Sequence, residues 1–192
     1  MPHHLYALLS RMKVIRRWSL MLNTTPENVA EHTLMTALLA HALALIARDV
    51  YNKSEVDPDA CAARALFHDC AEILTGDLPT PVKYWSPALR DAYREIEEHN
   101  VERLLSLAPD ELRPGLETCL RPGDDIVERY VSAADKLSAH IKCLEELRQG
   151  NAEFRLAADQ TRRKLENMRM EEVDYFIGHF LPSFALTLDE LE

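Results

Sequence analysis

The residues of this chain that could do chemistry are concentrated in one stretch, residues 66–81, which reads LFHDCAEILTGDLPTP. It places His68, Asp69, Glu72 and Asp77 within ten positions. At about 100° of rotation per residue, a helix through this stretch brings Glu72 to within roughly 40° of His68. We therefore expect two metal ligands, His68 and Asp69, and a further carboxylate to face one small volume.

A turn closes the same stretch. Gly76 is expected to end the helix, and the prolines at positions 79 and 81 stiffen the residues that follow. This predicts that Asp77 and Thr80 are held beside the volume that His68 and Asp69 face.

Two further side chains could complete a metal site. Asp135 lies among alanines in a helix otherwise suited to burial, where an unpaired carboxylate is costly. Taken singly, Asp135 could pair with Lys136 or with an arginine of another helix, His32 could be a core histidine, and the pair at 68–69 could lie on a helix surface. As a set, two imidazoles and two carboxylates suit Mn, Fe, Co or Zn and leave positions for water and a substrate oxygen. That donor set favours hydrolysis.

Helical periodicity accounts for nearly the whole chain. Start signals at Thr25-Pro26-Glu27, Asp57-Pro58-Asp59 and Ser86-Pro87, and an aspartate at 124 or 125, mark four helix beginnings. Predicted helices cover about 3–15, 26–50, 58–75, 87–107, 125–149, 152–168 and 171–181, with a short helix and a loop in 109–123. We expect an all-α chain in which residues 1–192 form a single domain, a bundle of six or seven helices.

Composition excludes several classes of function. The net charge of −10 and the lack of a Lys/Arg run argue against a polynucleotide or an anionic membrane as partner, whereas a small anionic substrate stays compatible. Four cysteines without a CxxC pair are expected to be reduced thiols in the cytoplasm. We see no signal peptide and no apolar run near the ~20 residues that span a bilayer, so a soluble cytoplasmic protein is expected.

The order His32, His68-Asp69, Asp135 resembles the H…HD…D signature of the HD-domain metal-dependent phosphohydrolases. The chain is similar in particular to the bacterial 5′-deoxynucleotidases of that superfamily, which remove phosphate from deoxyribonucleoside 5′-monophosphates. Matching segments are spread over nearly the whole chain, although residues 100–128 contribute little, and GDLPTPVKY is the most specific. They read SRMKVIRRWSLM, ENVAEHTLM, HDCAEILTGDLPTPVKYW, ADKLSAHIKCLEEL and MEEVDYFIGHFLPSFALTLDEL. The resemblance implies the HD-domain fold.

The resemblance also implies a metal centre. Its ligands fall on His32, His68, Asp69 and Asp135, which would hold one divalent ion, Mn, Co or similar. The family's helper glutamate falls on Glu72, where it could hold or deprotonate the attacking water. The ion would acidify that water and neutralise phosphate oxygens, so no covalent intermediate is needed.

Substrate contacts follow from the same resemblance. Arg17 matches the arginine that orients the phosphate, and Trp18 matches the tryptophan that packs on the sugar and leaves no room for a ribose 2′-hydroxyl. The substrate-binding set is Arg17, Trp18, Asp69, Asp77, Leu78, Pro79 and Thr80, with Asp77 accepting a hydrogen bond from the 3′-hydroxyl. Without the resemblance, a solvated arginine, a core or interface tryptophan and an ordinary capped turn would explain these residues. Exclusion of a hydroxyl gives a preference of roughly 100-fold, not an absolute barrier.

Two other functions remain open from the sequence. One keeps the metal but acts on another substrate, as a triphosphohydrolase, a cyclic-nucleotide phosphodiesterase or an alarmone hydrolase. The other is a helical binding protein without catalysis. A homodimer is expected from the resemblance and from apolar C-terminal side chains that need covering, namely Phe176, Phe180, Leu181 and Phe184.

The remaining candidate residues are given structural roles. Cys70 is expected to pack, and Glu145 and Glu146 are expected to form a solvated helix face. Surface or core positions are expected for the other histidines, namely His3, His4, His41, His99, His140 and His179.

Overall fold

A computed structural model describes residues 3–83 and 85–191, without the side chain of Thr80. Within these residues the chain is all-α, as predicted, and its one piece of β structure is an isolated antiparallel bridge between Arg16 and Asn28. The helices are α1 (Leu5–Leu9), α2 (Val29–Leu45), α3 (Pro58–Ala65), α4 (Glu72–Thr75), α5 (Thr80–Lys83), α6 (Pro87–Ser106), α7 (Arg113–Leu120), α8 (Asp125–Arg148), α9 (Arg155–Asn167) and α10 (Glu171–His179). Seven of them have eight or more residues, in agreement with the predicted number.

Helices α2, α3 and α8 form the centre of the molecule. Each packs on the other two, and α9 covers α8 from outside. The contact faces carry small side chains, including Ala40 and Ala44 on α2 and Ala133 and Ala134 on α8, all fully buried. Because the distance between two packed helices depends on the side chains at their contact, alanines let α2 and α8 approach closely. The two candidate ligands on these helices are thereby brought together.

The start of α2 was predicted too early. Thr25, Pro26 and Glu27 precede the helix, and Asn28 is its N-cap. The Asn28 side chain accepts from the backbone N–H of Glu31 at 3.1 Å, and the Glu31 carboxylate accepts from the Asn28 N–H at 3.1 Å. This reciprocal capping box satisfies two N–H groups at once, and it prevails over the Thr-Pro signal three residues earlier.

The assumption of one continuous helix through His68 and Glu72 was wrong. Helix α3 ends at Ala65, and residues 66–71 form turns before α4 begins at Glu72. The turns use tight i→i−3 bonds, such as His68 N–H to the Ala65 carbonyl at 3.3 Å and Glu72 N–H to the Asp69 carbonyl at 3.0 Å. Three residues per turn replace 3.6 in this geometry, so the 100° rotation does not apply.

Most other boundaries agree with the predictions. Asp57, Ser86 and Asp124 cap α3, α6 and α8 with their side chains. The N-terminal helix is shorter than expected, because α1 passes into a 3₁₀-helix over Ser10–Val14. Further 3₁₀ segments cover Asp110–Leu112, Ala152–Phe154, Leu181–Ala185 and Leu188–Glu190.

The segment Val29–Val50, α2 with a closing π-turn, has the length and composition of a membrane-spanning helix. The sequence expectation that no such run exists is therefore corrected. Of its apolar 18-residue stretch, 56% is buried inside the protein, and the buried face covers α3 and α8. A core helix has these properties too, so the feature is weak support for a membrane segment.

Candidate metal centre and substrate cavities

Four predicted ligands meet at the centre of the fold. Ligand atoms of His32 on α2, His68 after α3 and Asp135 on α8 all lie within 4.8 Å of one another. Asp69 lies beside them, with Oδ2 at 3.1 Å from Nε2 of His68 and 3.5 Å from Nε2 of His32. His32 Nε2 is also 3.2 Å from Asp135 Oδ1. These atoms can act as the donor set of a mixed nitrogen and oxygen site.

The hydrogen bond of His68 leaves its ligand nitrogen free. Nδ1 lies 2.7 Å from the Ala65 carbonyl, which can only accept, so Nδ1 carries the proton. Nε2 is buried and has no hydrogen-bond partner in the described residues, although the Asp69 carboxylate faces it. A lone pair directed at a carboxylate is unfavourable unless positive charge lies between them. This arrangement fits a metal ligand whose other nitrogen is fixed by the backbone.

His32 is held in a similar way from the opposite helix. Its side chain is fully buried, and Nδ1 lies 3.1 Å from the Ser138 hydroxyl on α8. This contact fixes the ring so that Nε2 faces Asp69 and Asp135. Both imidazoles therefore present Nε2 to the same point.

The carboxylates of the centre show a shortage of positive charge. Burial raises the pKa of Glu72 to about 9, and Asp69 and Asp77 add to the effect. Glu72 Oε2 is buried without a hydrogen-bond partner in the described residues. Burial works to raise the pKa of Asp135, but His32 lowers it to about 2. A divalent cation among these groups would supply the missing charge.

His68 and Asp69 carry shifts of the same origin. Burial opposes charge on both, but their mutual attraction dominates. The pKa of His68 is raised, and the pKa of Asp69 lies well below its usual range. Positive charge is thus favoured where His68 meets the carboxylate.

Arg17 and Trp18 approach the centre from the segment before α2. Arg17 donates from Nε to Glu27 at 3.0 Å and from a terminal nitrogen to Asp69 at 3.4 Å. Burial works to lower the pKa of Arg17, but Asp69, Asp135 and Glu27 raise it above its ordinary value. The guanidinium is therefore a permanent cation beside the ligands.

Trp18 has an unusual backbone with φ of 56°. Its indole Nε1 donates to Glu27 at 3.0 Å, and its ring packs on Phe154 with centroids 5.4 Å apart. Sequence reasoning missed Glu27, because that residue was assigned to the first turn of α2. The segment ENVAEHTLM contained it, but no pattern indicated that its carboxylate turns back to Arg17 and Trp18.

Two cavities of about 550 and 540 Å³ share Asp135 as a lining residue. The first, called here the Trp18 cavity, is lined by Arg17, Trp18, Ser19, Leu20, Met21, Asp77, Pro79, Pro81, Asp135, Lys136, Ala139, Ala157, Gln160, Thr161 and Lys164. The second, called the Glu72 cavity, contains His68, Asp69 and Glu72 in its wall. Both cavities therefore reach the centre.

The predicted substrate loop lies at the Trp18 cavity. Asp77 and Pro79 line it, whereas Leu78 is partly buried in the same loop and is absent from both linings as far as the structure describes them. The side chain of Thr80 lies outside the description, and its backbone begins α5. Gly76, with φ of 77°, caps α4 and turns the chain into this loop.

The predictions for other residues have mixed outcomes. Cys70 is buried in an apolar cluster, as expected. His140 is a core histidine that contacts Thr161 at 2.9 Å. The expected solvated face at Glu145 and Glu146 is wrong for Glu146, which is fully buried. Its carboxylate accepts hydrogen bonds from Lys142, Asn151 and the backbone N–H groups of Thr24 and Thr25.

The C-terminal apolar residues also differ from the expectation. Phe176 and Leu181 are buried in the protein's own core, and Phe184 packs against it. Only Phe180 of the four is markedly exposed, at 47%. These side chains therefore provide little unpaired surface for a second copy.

Known proteins resemble the chain over nearly its whole length. Residues 4–184 match the model of the 5′-deoxynucleotidase YfbR-like family. A 5′-deoxynucleotidase of Enterobacter sp. (strain 638) is 45% identical over 98% of this chain and 95% of its own length. The 5′-deoxynucleotidase YfbR of Salmonella paratyphi B is 44% identical over the same shares.

Solved structures agree with the fold. An HD-domain phosphohydrolase from Listeria innocua superposes with a TM-score of 0.78 at 26% identity, covering 93% of this chain and 87% of its own. The cyanophage S-2L HD phosphohydrolase DatZ, solved with dA and one catalytic Zn²⁺, has a TM-score of 0.61 at 22% identity, over 92% and 96% of the two chains. The sequence similarity to 5′-deoxynucleotidases extends over nearly the whole chain, and the bundle is of the HD type. This chain therefore belongs to the YfbR-like 5′-deoxynucleotidase family of HD-domain phosphohydrolases.

Proposed function

We propose that this chain hydrolyses deoxyribonucleoside 5′-monophosphates to deoxynucleosides and phosphate at the centre formed by His32, His68, Asp69 and Asp135. The observation that carries the proposal is the convergence of these side chains, in a chain similar to 5′-deoxynucleotidases from end to end. The four residues are proposed as the ligands of one divalent ion.

The proposed ion is Mn or Co, which the mixed imidazole and carboxylate donors suit, as they also suit Zn. When bound, it supplies a Lewis acid that polarises a phosphoryl oxygen and acidifies water. The cyanophage protein, which shares the fold, carries a catalytic Zn²⁺, so the assay includes that ion. The chemistry of the remaining residues is independent of which ion is used.

Arg17 is proposed to bind the phosphate. A guanidinium has five N–H groups, of which Glu27 accepts one and Asp69 accepts another. The three others have no acceptor in the described residues, and Arg17 lines the Trp18 cavity. A planar fork of donors beside the ligands can grip two phosphate oxygens at once.

The sugar is proposed to lie in the Trp18 cavity. The indole of Trp18 would pack on its face and occupy the space of a ribose 2′-hydroxyl, and the Asp77 carboxylate would accept a hydrogen bond from the 3′-hydroxyl. Burial raises the pKa of Asp77, an effect that Arg17 opposes. Pro79 is proposed to shape the rest of this wall, with Leu78 and Thr80 as its neighbours in the proposed substrate loop.

Glu72 is proposed to hold the attacking water and accept its proton. It lines the Glu72 cavity, which shares Asp135 with the Trp18 cavity. Its Oε2 atom is free to accept a hydrogen bond. A water in the Glu72 cavity and a nucleoside in the Trp18 cavity would reach the phosphate from different cavities, which the in-line arrangement of attacking and leaving oxygens needs.

The test is phosphate release from dAMP and AMP with Mn, Co or Zn added, beside dGTP and cyclic nucleotides. We expect turnover of dAMP that exceeds turnover of AMP by up to roughly 100-fold. Lack of release from every monophosphate would reject the proposal. Faster turnover of dGTP or of a cyclic nucleotide would show that the proposed substrate is wrong, while the proposed metal centre would stand.

We also propose that the chain acts in the cytoplasm as a homodimer of single-domain protomers. Support comes from the family resemblance and from four cysteines without a CxxC pair, which are expected to be reduced thiols. Light scattering should give twice the 22.0 kDa of one chain. A mass of 22.0 kDa at assay concentration would reject the dimer.

A further inference from the structure

The side chain of Glu27 joins two residues that are proposed to contact the substrate. Its Oε2 atom accepts a hydrogen bond from Nε of Arg17 at 3.0 Å and another from Nε1 of Trp18 at 3.0 Å. One carboxylate oxygen therefore fixes the direction of a guanidinium and of an indole. Neither residue can turn away without breaking this shared contact.

The backbone holds Glu27 in the same place. Arg17 N–H donates to the Glu27 carbonyl at 3.0 Å, and Val29 N–H donates to the Ile15 carbonyl at 3.0 Å. These bonds surround the isolated bridge between Arg16 and Asn28. The segment with Glu27 is thus paired with the segment with Arg17 before any side chain is considered.

Trp18 needs such support because its backbone is strained. A φ of 56° lies in the left-handed region, which a bulky side chain seldom adopts and which persists only where the surroundings hold it. Phe154 packs against the ring, and Glu27 holds the indole nitrogen. The two contacts together set how far the indole extends into the Trp18 cavity.

Partial burial strengthens the contact with Arg17. The side chains of Arg17 and Glu27 are 12% and 14% exposed. A hydrogen bond between ionised groups is stronger than a neutral one, and a low local dielectric strengthens it further. Because Glu27 takes Nε, the terminal nitrogens of Arg17 are left to face Asp69 and the cavity.

We propose that Glu27 is a positioning residue of this site, which directs Arg17 toward the phosphate and holds Trp18 as the wall that excludes a 2′-hydroxyl. It acts through these two side chains and does not touch the substrate. The inference rests on the proposed function, since it needs both side chains to face a nucleotide.

The kinetic test compares Glu27→Ala and Glu27→Gln with the parent on dAMP and AMP. Loss of a charge-assisted hydrogen bond to Arg17 predicts a KM for dAMP about tenfold higher in Glu27→Ala. The ratio of kcat/KM for dAMP over AMP should fall at least about threefold, because a loosened indole excludes the hydroxyl less well. Glu27→Gln keeps an acceptor oxygen and should recover part of both losses.

Glu95→Gln is the matched control, because Glu95 is an exposed glutamate on α6 and lies outside the contacts of Arg17 and Trp18. It should keep the parent's constants. Equal losses on dAMP and AMP, with no recovery in Glu27→Gln, would indicate a general structural role and overturn the proposal. Unchanged KM and selectivity in Glu27→Ala would overturn it as well.

A second measurement separates this inference from the proposed function. The chain has two tryptophans, and Trp85 is 84% exposed, so a ¹H–¹⁵N spectrum should contain one bonded and one solvated indole signal. Glu27→Ala should move the Trp18 signal and leave that of Trp85, which Trp85→Phe assigns. An unmoved Trp18 signal would refute the contact. If the Trp18 signal moves in Glu27→Ala but the parent hydrolyses no monophosphate, the contact is supported and only the proposed function is refuted.

Discussion

At the scale of single residues, the carboxylates of the centre fall into two pairs that differ in the direction of their pKa shifts. Burial raises the pKa of Glu72 and Asp77. Burial acts on Asp69 and Asp135 too, but the facing imidazoles lower the pKa of both. Titratable groups whose environments shift their pKa values in opposite directions are suited to different roles in catalysis. Asp69 and Asp135 are suited to stay charged as the proposed ligands, whereas Glu72 is suited to exchange a proton once a bound cation lowers its pKa.

Replacing Glu72 by glutamine should therefore affect turnover and not metal binding. Glu72→Gln keeps the volume but loses the proton acceptor, and kcat should fall by about 10²- to 10⁴-fold. Steady-state kinetics and metal titration check this. The exposed Glu98 lines the same cavity, so Glu98→Gln should retain the parent kcat. A Glu72→Gln enzyme within threefold of the parent would contradict the role.

The types of the ligand residues could be predicted from the sequence, but part of their surroundings could not. His32, His68 and Asp135 are polar residues in apolar stretches of the chain, and that contrast is visible in the sequence. Glu27 and Glu146 sit in polar stretches, where a glutamate normally faces solvent. Their burial depends on which chain segment folds over them, and no local pattern encodes it.

At the scale of elements, the segment between Trp18 and α2 is fastened to the end of α8. The Glu146 carboxylate accepts the N–H groups of Thr24 and Thr25 at 2.8 and 3.0 Å. Asn151 adds a bond to the Leu22 carbonyl at 2.7 Å. A segment without helix or strand is thereby given fixed hydrogen-bond partners, which the strained Trp18 requires.

Removing the contacts of the Glu146 carboxylate should lower the free energy of unfolding substantially. Glu146→Gln leaves the ammonium group of Lys142, which is 4% exposed, without its charge partner. Loss of one partner of a buried pair predicts a free energy of unfolding lower by about 3 kcal/mol. Urea unfolding measures it, with the exposed Glu95→Gln on α6 expected within about 0.5 kcal/mol of the parent. Equal stability of both variants would contradict the prediction.

The same carboxylate predicts a dependence on pH. Burial works to raise the pKa of Glu146, but bonds from Lys142, Thr25 and Asn151 lower it below its usual range. A carboxyl group with a lowered folded pKa contributes stability that is present above its unfolded pKa of 4.5 and is lost as pH falls below it. The difference between parent and Glu146→Gln should therefore shrink from about pH 5 to about pH 3. A difference that stays constant in urea unfolding over this range would contradict the assignment.

Gly76 offers a test of the turn that presents Asp77. Its φ of 77° is left-handed, and a Cβ there would meet nothing within 4 Å. With ψ of 166° this conformation is almost restricted to glycine, so Gly76→Ala should lose about 1–3 kcal/mol from backbone strain alone. Gly178 lies inside α10 with equally open space, so Gly178→Ala should gain up to about 1 kcal/mol. Shifts of the same sign in thermal melts would contradict the argument.

Helix ends show what local sequence can predict. Asp57, Ser86 and Asp124 cap the helices that were expected at those positions. The errors arose where two local signals competed, as at Thr25 against Asn28, or where a helix changed to tighter turns after Ala65. The reciprocal capping box of Asn28 and Glu31 decided the first case, and i→i−3 backbone bonds decided the second. The result is that His32 on α2 and His68 and Asp69 in the turns face one point.

At the scale of the whole molecule, the proposed ligands come from distant parts of the chain. His32 lies on α2, His68 and Asp69 follow α3, and Asp135 lies on α8, and these three helices form the core. The three segments that carry these four residues are far apart in the sequence, so the pocket exists only in the folded state. An ion that binds there binds the native state and stabilises it by mass action.

Metal should therefore raise the melting temperature of the parent and not that of a ligand variant. Free ion at 100 times its dissociation constant adds about 2.7 kcal/mol, and about 2–4 °C per kcal/mol in a chain of this size gives a rise of about 5–10 °C. EDTA should reverse the rise. Asp135→Ala should show almost none, whereas Asp159→Ala, which removes an exposed carboxylate from α9, should respond as the parent does. An equal rise in Asp135→Ala would mean that the stabilising ion binds elsewhere, because carboxylates on the surface also attract divalent cations in a chain with net charge −10.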